Sequence, residues 1–244
     1  MNGPEIPWLV VPTYNEVENL EALVQAATKA LRKASPEGFA MLIVDDNSPD
    51  GTGRLADRLA AEREELRVLH RPGKGGLGPA YLAGFAEALA GGAGYVMEMD
   101  ADFSHDPEDV GRLLAAARDG ADLVLGSRYV PGGGVTDWGV VRRLISRGGS
   151  LYARVILGMH QHDLTGGFKC FRRATLEAID LPSVTSQGYA FQIELTYRAA
   201  RRGLRIVEVP IVFRERRVGE SKMSSRIALE AFWRVPEIRG WRPR

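Results

Sequence analysis

The chain has 244 residues, of which 45% are hydrophobic and 26% are charged, a composition ordinary for a globular protein built around one core. Its 32 basic and 31 acidic residues leave a net charge of +1, which excludes the strong overall positive charge typical of nucleic-acid-binding proteins. A single cysteine, Cys170, excludes an internal disulfide bond. Its apolar neighbours favour a buried thiol over a reactive one.

Apolar strands alternate with amphipathic helices along the first half of the chain. The predicted strands are residues 6–11, 39–44, 66–69, 95–99 and 123–125, and the predicted helices are residues 17–34, about 51–63, about 79–90 and one that opens at Pro107. We expect Asn15 to cap the first helix. Strands separated by helices predict an α/β fold, with a mainly parallel central sheet and helices on both faces.

The second half of the chain carries two amphipathic regions. Arginines alternate with apolar residues from 142 to 156, and an apolar stripe with two tryptophans runs from 227 to 241. These patterns are typical of helices that lie on a membrane surface, although packing on the core is the alternative for the second region. We predict one main domain at residues 1–225, followed by a C-terminal amphipathic helix or tail at residues 226–244.

The amino-terminal residues lack the features of a signal peptide, and the longest uncharged run, residues 181–193, is too short to span a bilayer. We therefore expect a cytoplasmic protein that binds peripherally to the cytoplasmic face of a membrane.

Polar clusters follow three of the predicted strands. Residues 13–16 follow the first strand, Asp45 and Asp46 close the second, and residues 100–102 close the fourth with the sequence Asp-Ala-Asp. The carboxyl ends of parallel strands meet at one edge of a sheet, where ligands bind. Two carboxylates at a strand end can hold a hard divalent cation together with the phosphates that it bridges. The sequence therefore predicts one shared site at this edge.

Two further segments bear on phosphate binding. The glycine-rich residues 71–78 lack the Gly-Lys-Ser/Thr ending of a P-loop and the dinucleotide fingerprint, which disfavours a kinase or a dehydrogenase. Four cations follow a strand-like segment at 206–213, namely Arg214, Arg216, Arg217 and Lys222. The basic regions have no interleaved aromatic residues for stacking bases. Lipid phosphate is a better prediction than nucleic acid.

Six segments resemble the polyprenol (dolichol) phosphate mannose synthases, which are family-two inverting glycosyltransferases. They are residues 11–16, 45–52, 99–105, 126–129, 163–168 and 219–224. The first two are shared across many family-two enzymes, and the last two narrow the resemblance to transferases that use polyprenyl phosphate. The resemblance implies a GT-A (nucleotide-diphospho-sugar transferase) fold, GDP-mannose as donor, Mg²⁺ or Mn²⁺ as cofactor, and a β-linked product.

The resemblance also assigns site residues. The positions matched to nucleotide-sugar contacts are Pro12, Tyr14, Glu16, Ile43, Asp45, Asp100, Ala101, Asp102, Arg128, Arg216 and Lys222. The matched metal positions are Asp100, Asp102 and Ser104, the last standing where some relatives carry glutamine. The residues expected to carry catalysis are Asp102, Arg128, Arg216 and Lys222.

Two other functions remain open at this stage. In the family, the shared motifs contact the ribose and the phosphates of the donor rather than its sugar, so they do not specify which sugar is transferred. A UDP-glucose-dependent polyprenyl-phosphate glucosyltransferase is therefore the nearest alternative. A non-catalytic polyprenyl-phosphate binding protein is the other, against which the intact Asp-Ala-Asp motif argues. The expected partners are GDP-mannose, a polyprenyl phosphate lipid, a membrane surface and a membrane-anchoring protein.

Overall fold

The computed structural model describes residues 5–215 and 225–242 of the chain. The predicted site residues Arg216 and Lys222 lie outside the described residues. The strands are β1 (Pro7–Thr13), β2 (Ala40–Asp45), β3 (Leu66–His70), β4 (Tyr95–Glu98), β5 (Leu123–Ser127), β6 (Gly134–Val135), β7 (Lys169–Arg172), β8 (Ile206–Pro210) and β9 (Val212–Phe213). The helices are α1 (Val17–Ala34), α2 (Thr52–Ala61), α3 (Leu77–Ala90), α4 (Val110–Arg118), α5 (Val140–Leu157), α6 (Arg173–Ala178), α7 (Gly188–Arg201) and α8 (Ser225–Arg239).

In the described part of the chain, the main sheet has seven strands in the order β3-β2-β1-β4-β7-β5-β8. The pairs β1–β2, β2–β3, β1–β4 and β5–β8 are parallel. Residues of α1, α2 and α4 pack on one face of the sheet, and residues of α3 and α7 pack on the other. The α/β prediction of a mainly parallel sheet with helices on both faces is confirmed.

Strand β7 was not predicted from the sequence. It lies between β4 and β5 and runs antiparallel to both. Cys170, at its centre, is fully buried in the same hydrophobic cluster as Phe168, and burial raises the pKa of its thiol well above the usual value. The prediction of a buried, unreactive cysteine is confirmed.

Two local predictions were wrong. Asn15 does not cap α1: it has a positive φ of 56°, and the Val17 N–H donates instead to the Asp50 carboxylate at 3.2 Å. The first strand also continues past the predicted end at Val11, through Pro12 to Thr13. Because β4 pairs with β1 only as far as Val10, proline at this position removes no ladder hydrogen bond on that side.

A hydrophobic cluster separate from those on the two faces of the sheet joins the C-terminal helix α8 to the rest of the fold. Val235 and Ile238 of α8 are buried against residues of α5 and α7, and the Tyr152 hydroxyl donates to the Phe232 carbonyl oxygen at 2.9 Å. Trp233 remains 66% exposed. One face of α8 therefore packs on the core, while aromatic surface stays accessible. None of the helices in the described residues has the length and apolarity needed to cross a membrane.

Candidate active site

The residues at the carboxyl ends of β1 and β2 form one side of the candidate site and are joined by hydrogen bonds. The buried Asp45 carboxylate accepts hydrogen bonds from the Thr13 hydroxyl at 3.2 Å and the Ser48 backbone N–H at 3.1 Å. Ser48 in turn accepts from the Asn15 N–H at 3.1 Å, and Thr52 accepts from the Glu16 N–H at 2.9 Å. The first two sequence motifs therefore hold each other in place, as expected from adjacent parallel strands.

The glycine-rich loop is tied to the same side of the site. Arg71 forms an ion pair with the buried Asp46, and the Gly75 N–H donates to that carboxylate at 3.0 Å. Lys74 lies over the Tyr14 ring, with its Nζ 4.3 Å from the ring centroid. The loop thus borders the site, and the charge of Arg71 is compensated by Asp46.

The Asp-Ala-Asp motif follows β4 at the centre of this edge. The Tyr81 hydroxyl lies 3.4 Å from an Asp100 carboxylate oxygen, and the Ser104 N–H donates to Asp102 at 3.0 Å. The Ser104 hydroxyl is buried and has no hydrogen-bond partner among the residues that the structure describes. Burial, followed by the Asp100 charge, raises the pKa of Tyr81 well above its usual value, so the phenol stays protonated and can donate to Asp100.

These oxygens fit a hard divalent cation. No group of three or more His, Cys, Asp or Glu side chains arranged for a metal occurs among the described residues. The oxygens that line the pocket at this motif are those of Asp100, Asp102 and the Ser104 hydroxyl. This small oxygen set suits a Mg²⁺-like ion, which typically takes one or two carboxylates and completes its shell with substrate phosphates and water.

Arg128, which follows β5, is held by a buried carboxylate. Its Nε and Nη2 donate to the two oxygens of Asp163 at 2.7 and 2.6 Å, and Nη2 also donates to the Thr165 hydroxyl at 2.9 Å. Burial opposes the charge of Arg128, but Asp163 more than offsets that cost and raises the pKa of the guanidinium above its usual value. Arg128 is therefore a permanent cation with a fixed orientation.

His105, just after the metal motif, is buried between aromatic rings. Its ring centroid lies 5.0 Å from that of Phe168 and 5.2 Å from that of Phe213. Burial lowers the pKa of His105 to about 4; the nearby charge of Asp102 raises it, that of Arg128 lowers it and that of Asp163 raises it. The imidazole is therefore neutral at physiological pH.

This pKa predicts a pH dependence of stability. An unfolded histidine titrates near 6.5, so between about pH 6.5 and 4 the unfolded chain binds more protons at this position than the folded one. The free energy of unfolding should therefore fall as the pH drops through that window, and His105→Asn should remove part of the fall. Denaturant unfolding at a series of pH values in metal-free buffer measures it. His160→Asn, at an exposed histidine, is the control; equal slopes in both variants would refute the assignment.

Two cavities meet beside the motif. A small pocket of about 90 Å³ is lined by Asp100, Asp102, Ser104, His105, Arg128, Gln192 and neighbouring residues. A largely apolar groove of about 350 Å³ lies between α5, α7 and α8. Four residues line both cavities: Trp138, Arg142, Thr165 and Tyr189. The groove therefore adjoins the acidic pocket along this shared wall.

Among the predicted site residues that the structure describes, Ile43 is the one whose side chain does not face this edge of the sheet. The Ile43 side chain is fully buried in the hydrophobic cluster on the face of the sheet that carries α1, α2 and α4. It therefore presents no surface to a ligand, and its assignment stays a prediction. Pro12 and Tyr14 are half-buried, and Glu16 and Ala101 are buried. Glu16 accepts from the Asn19 amide at 2.9 Å.

Sequence reasoning missed the residues shared by the two cavities. It assigned Arg142 to a basic surface and gave no role to Trp138, Thr165 or Tyr189. Thr165 lies within the recognised segment 163–168, whereas Trp138, Arg142 and Tyr189 lie outside all six recognised segments. Only the folded chain places α5 and the start of α7 against the metal motif.

Comparisons with known proteins identify the family of this chain. Residues 8–180 match the family described as glycosyl transferase family 2. The undecaprenyl-phosphate mannosyltransferase of Micrococcus luteus is 53% identical over 222 residues, covering 91% of this chain and 89% of the relative. The polyprenol monophosphomannose synthase of Mycolicibacterium smegmatis is 50% identical over 235 residues, covering 95% of this chain and 87% of the relative.

A solved structure confirms the fold. A crystal structure of glucosyl-3-phosphoglycerate synthase from Mycobacterium tuberculosis, in complex with Mn²⁺, UDP and phosphoglyceric acid, superposes with a TM-score of 0.71 at 20% identity, covering 98% of this chain and 80% of that chain. The fold is the predicted GT-A fold. The chain belongs to glycosyl transferase family 2 and, within that family, to the polyprenyl-phosphate mannose synthases.

Proposed function

We propose that this protein transfers mannose from GDP-mannose to the phosphate of a polyprenyl phosphate, with inversion at the anomeric carbon. The observation that carries the proposal is the junction of the two cavities. The acidic pocket suits a metal-bound nucleotide-sugar, and the apolar groove suits an isoprenoid chain. Arg142 and Thr165, on the shared wall, supply polar groups where the lipid phosphate would lie.

The reaction on this proposal is a direct displacement. An oxygen of the lipid phosphate forms the new bond to the anomeric carbon as the bond from that carbon to the nucleoside diphosphate breaks. A bound Mg²⁺ or Mn²⁺ would neutralise charge on the departing diphosphate. Asp100, Asp102 and Ser104 would hold that ion, and Arg128 would add a fixed positive charge.

The acceptor chemistry needs no side-chain base. A phosphate monoester has a second pKa near 6, so its oxygen is already a charged nucleophile at neutral pH. His105 is buried against Phe168 and Phe213 and is fully packed, which suits a structural role better than proton abstraction. The chain's task is then alignment and charge compensation.

The decisive experiment supplies the purified protein with polyprenyl phosphate, Mn²⁺ or Mg²⁺, and labelled GDP-mannose or UDP-glucose. Mannose label entering the lipid phase supports the proposal. Glucose label would establish the glucosyltransferase instead, and binding of polyprenyl phosphate without any transfer or donor hydrolysis would establish a non-catalytic binding protein.

Membrane contact through α5 is part of the proposal. Six apolar side chains of this helix are between 56% and 72% exposed: Val140, Val141, Leu144, Ile145, Leu151 and Val155. Arg143 and Arg147 on the same helix add positive charge, which is attracted to the anionic lipids of a cytoplasmic leaflet. The apolar groove opens beside this helix, so a lipid could enter it without leaving the membrane surface.

We expect the double variant Val141→Ser/Val155→Ser to bind anionic vesicles at least about tenfold more weakly, because each valine contributes on the order of 1.5 kcal/mol when it leaves water. Co-sedimentation with phosphatidylglycerol-containing vesicles measures the change. Val212→Ser alters an exposed valine outside this helix and should bind normally. Unchanged binding of the double variant would remove α5 as the membrane-contacting element.

A further inference from the structure

Asp163 lies in the middle of residues 158–168, the segment that connects α5 to β7, and both its backbone and its side chain are held by hydrogen bonds. Its side chain is completely buried. Its backbone N–H donates to Glu208 of β8 at 3.0 Å, and the N–H of the preceding His162 donates to the other oxygen of that carboxylate at 2.8 Å. Glu208 therefore anchors the Asp163 backbone to the sheet.

The Asp163 carboxylate accepts three hydrogen bonds from Arg128. Besides the two guanidinium bonds, it accepts the backbone N–H of Arg128 at 3.0 Å. Burial opposes ionisation of Asp163, but Arg128, with a further contribution from Lys169, holds the pKa of the carboxyl below its usual value. The carboxylate thus stays charged in a site without solvent.

This pairing leaves one end of the guanidinium for a ligand. A guanidinium carries five N–H donors in a planar fork. Asp163 and Thr165 use the donors of Nε and Nη2, and within residues 5–215 and 225–242 no hydrogen bond engages Nη1. Because Asp163 binds the Nε–Nη2 edge, the Nη1 donors point away from it. Arg128 also lines the pocket that contains Asp100 and Asp102.

Aromatic rings support the same orientation. The central guanidinium carbon of Arg128 lies 5.1 Å from the ring centroid of Tyr129, 5.8 Å from that of Trp138 and 5.5 Å from that of Phe213. Rings attract the cation but fix its in-plane rotation only weakly. A bidentate carboxylate fixes that rotation. The rings alone would leave the direction of Nη1 undetermined.

We propose that Asp163 is a positioning residue for transfer: it holds Arg128 so that the Nη1 donors face the phosphate oxygens of the substrates at the junction of pocket and groove. The inference rests on the proposed function, since that function places phosphate beside Arg128. Asp163 itself contacts no substrate. Its contribution to the rate therefore passes entirely through Arg128.

The test is a double-mutant cycle with Asp163→Asn, Arg128→Gln and the double variant. The amide pair of the double variant has similar size and no unpaired buried charge, so it keeps the cycle measurable if a single variant is unstable. Circular dichroism and thermal unfolding establish the folded fraction of each protein. Values of kcat and KM, per folded molecule, are measured for the nucleotide-sugar that the wild-type chain uses, and nucleotide affinity is measured with Mn²⁺ in each variant.

We expect each single variant to lose about 100-fold in kcat/KM, because a displaced catalytic cation costs that order of rate. The double variant should match Arg128→Gln within about twofold. Losses that multiply in the double variant, or an Asp163→Asn protein that is less stable but has normal kcat and KM per folded molecule, would overturn the inference. A wild-type protein that transfers glucose would refute the mannosyl assignment while the cycle still decides the role of Asp163.

Discussion

Asp102→Asn is expected to reduce sugar transfer by at least about 1000-fold, because on the proposed function it removes a charge that would hold the cation, and a bound metal contributes several kcal/mol to such reactions. The fold should survive. The Ser104 N–H donates to one Asp102 oxygen at 3.0 Å, and the asparagine side chain keeps an oxygen that can accept this bond. The loss should therefore be in metal binding and catalysis.

Two measurements separate these effects. A calorimetric titration with Mn²⁺ in the presence of GDP should show weaker metal binding in Asp102→Asn. Chelation of the metal should abolish the activity of the wild-type protein. The matched control is Asp109→Asn, a nearby aspartate that pairs with Arg112 at 2.6 Å on the surface, and it should retain near-normal activity. Near-normal turnover in Asp102→Asn would refute the metal assignment.

Arg142→Gln is expected to raise the KM for polyprenyl phosphate by about 10- to 100-fold, the range that corresponds to one hydrogen bond with a charged group. Arg142 lines both cavities. Its guanidinium is held by Glu215 at 2.8 Å and lies 4.3 Å from the ring centroid of Trp138. This position suits contact with the lipid phosphate, whereas the KM for the nucleotide-sugar should change little.

Arg143→Gln is the matched control on the same helix. Arg143 is exposed and donates to the Val135 carbonyl oxygen at 3.4 Å, and it is absent from the lining of both cavities. If arginines of α5 act only by attracting the membrane, both variants should show the same small loss, on the order of 1 kcal/mol in vesicle binding. That outcome would refute a specific role for Arg142. Steady-state kinetics with detergent-dispersed acceptor removes the membrane contribution.

The alternating strands and helices of the first half could be predicted closely, because period and turn residues are local signals. The helix predicted at residues 17–34 coincides with α1. Strand β7 was missed because its four residues pair with β4 and β5, which are far from it in sequence. The order of segments along the chain does not indicate such a pairing. The cap of α1 was misassigned for the same reason: its acceptor, Asp50, belongs to another loop.

The candidate site also has one part that could be predicted from the sequence and one part that could not. Its acidic and nucleotide-facing parts follow parallel strands, and the carboxyl ends of such strands must meet at one edge. The acceptor side depends on α5, α7 and α8, which join through a separate hydrophobic cluster. Nothing in the helical periodicity of α5 indicates which arginine faces the groove and which faces solvent or lipid.

The amino-acid sequence was sufficient to predict the α/β class, the shared edge of the sheet and the resemblance that identifies the family, because each depends on short motifs whose order along the chain implies their placement. The folded structure was needed to show that Asp163 binds Arg128 and that Arg142 lies where the pocket meets the groove. These pairings join residues that are distant in sequence, and their geometry is set by how helices pack on the sheet. Packing depends on side chains from many elements at once, and no local pattern encodes it.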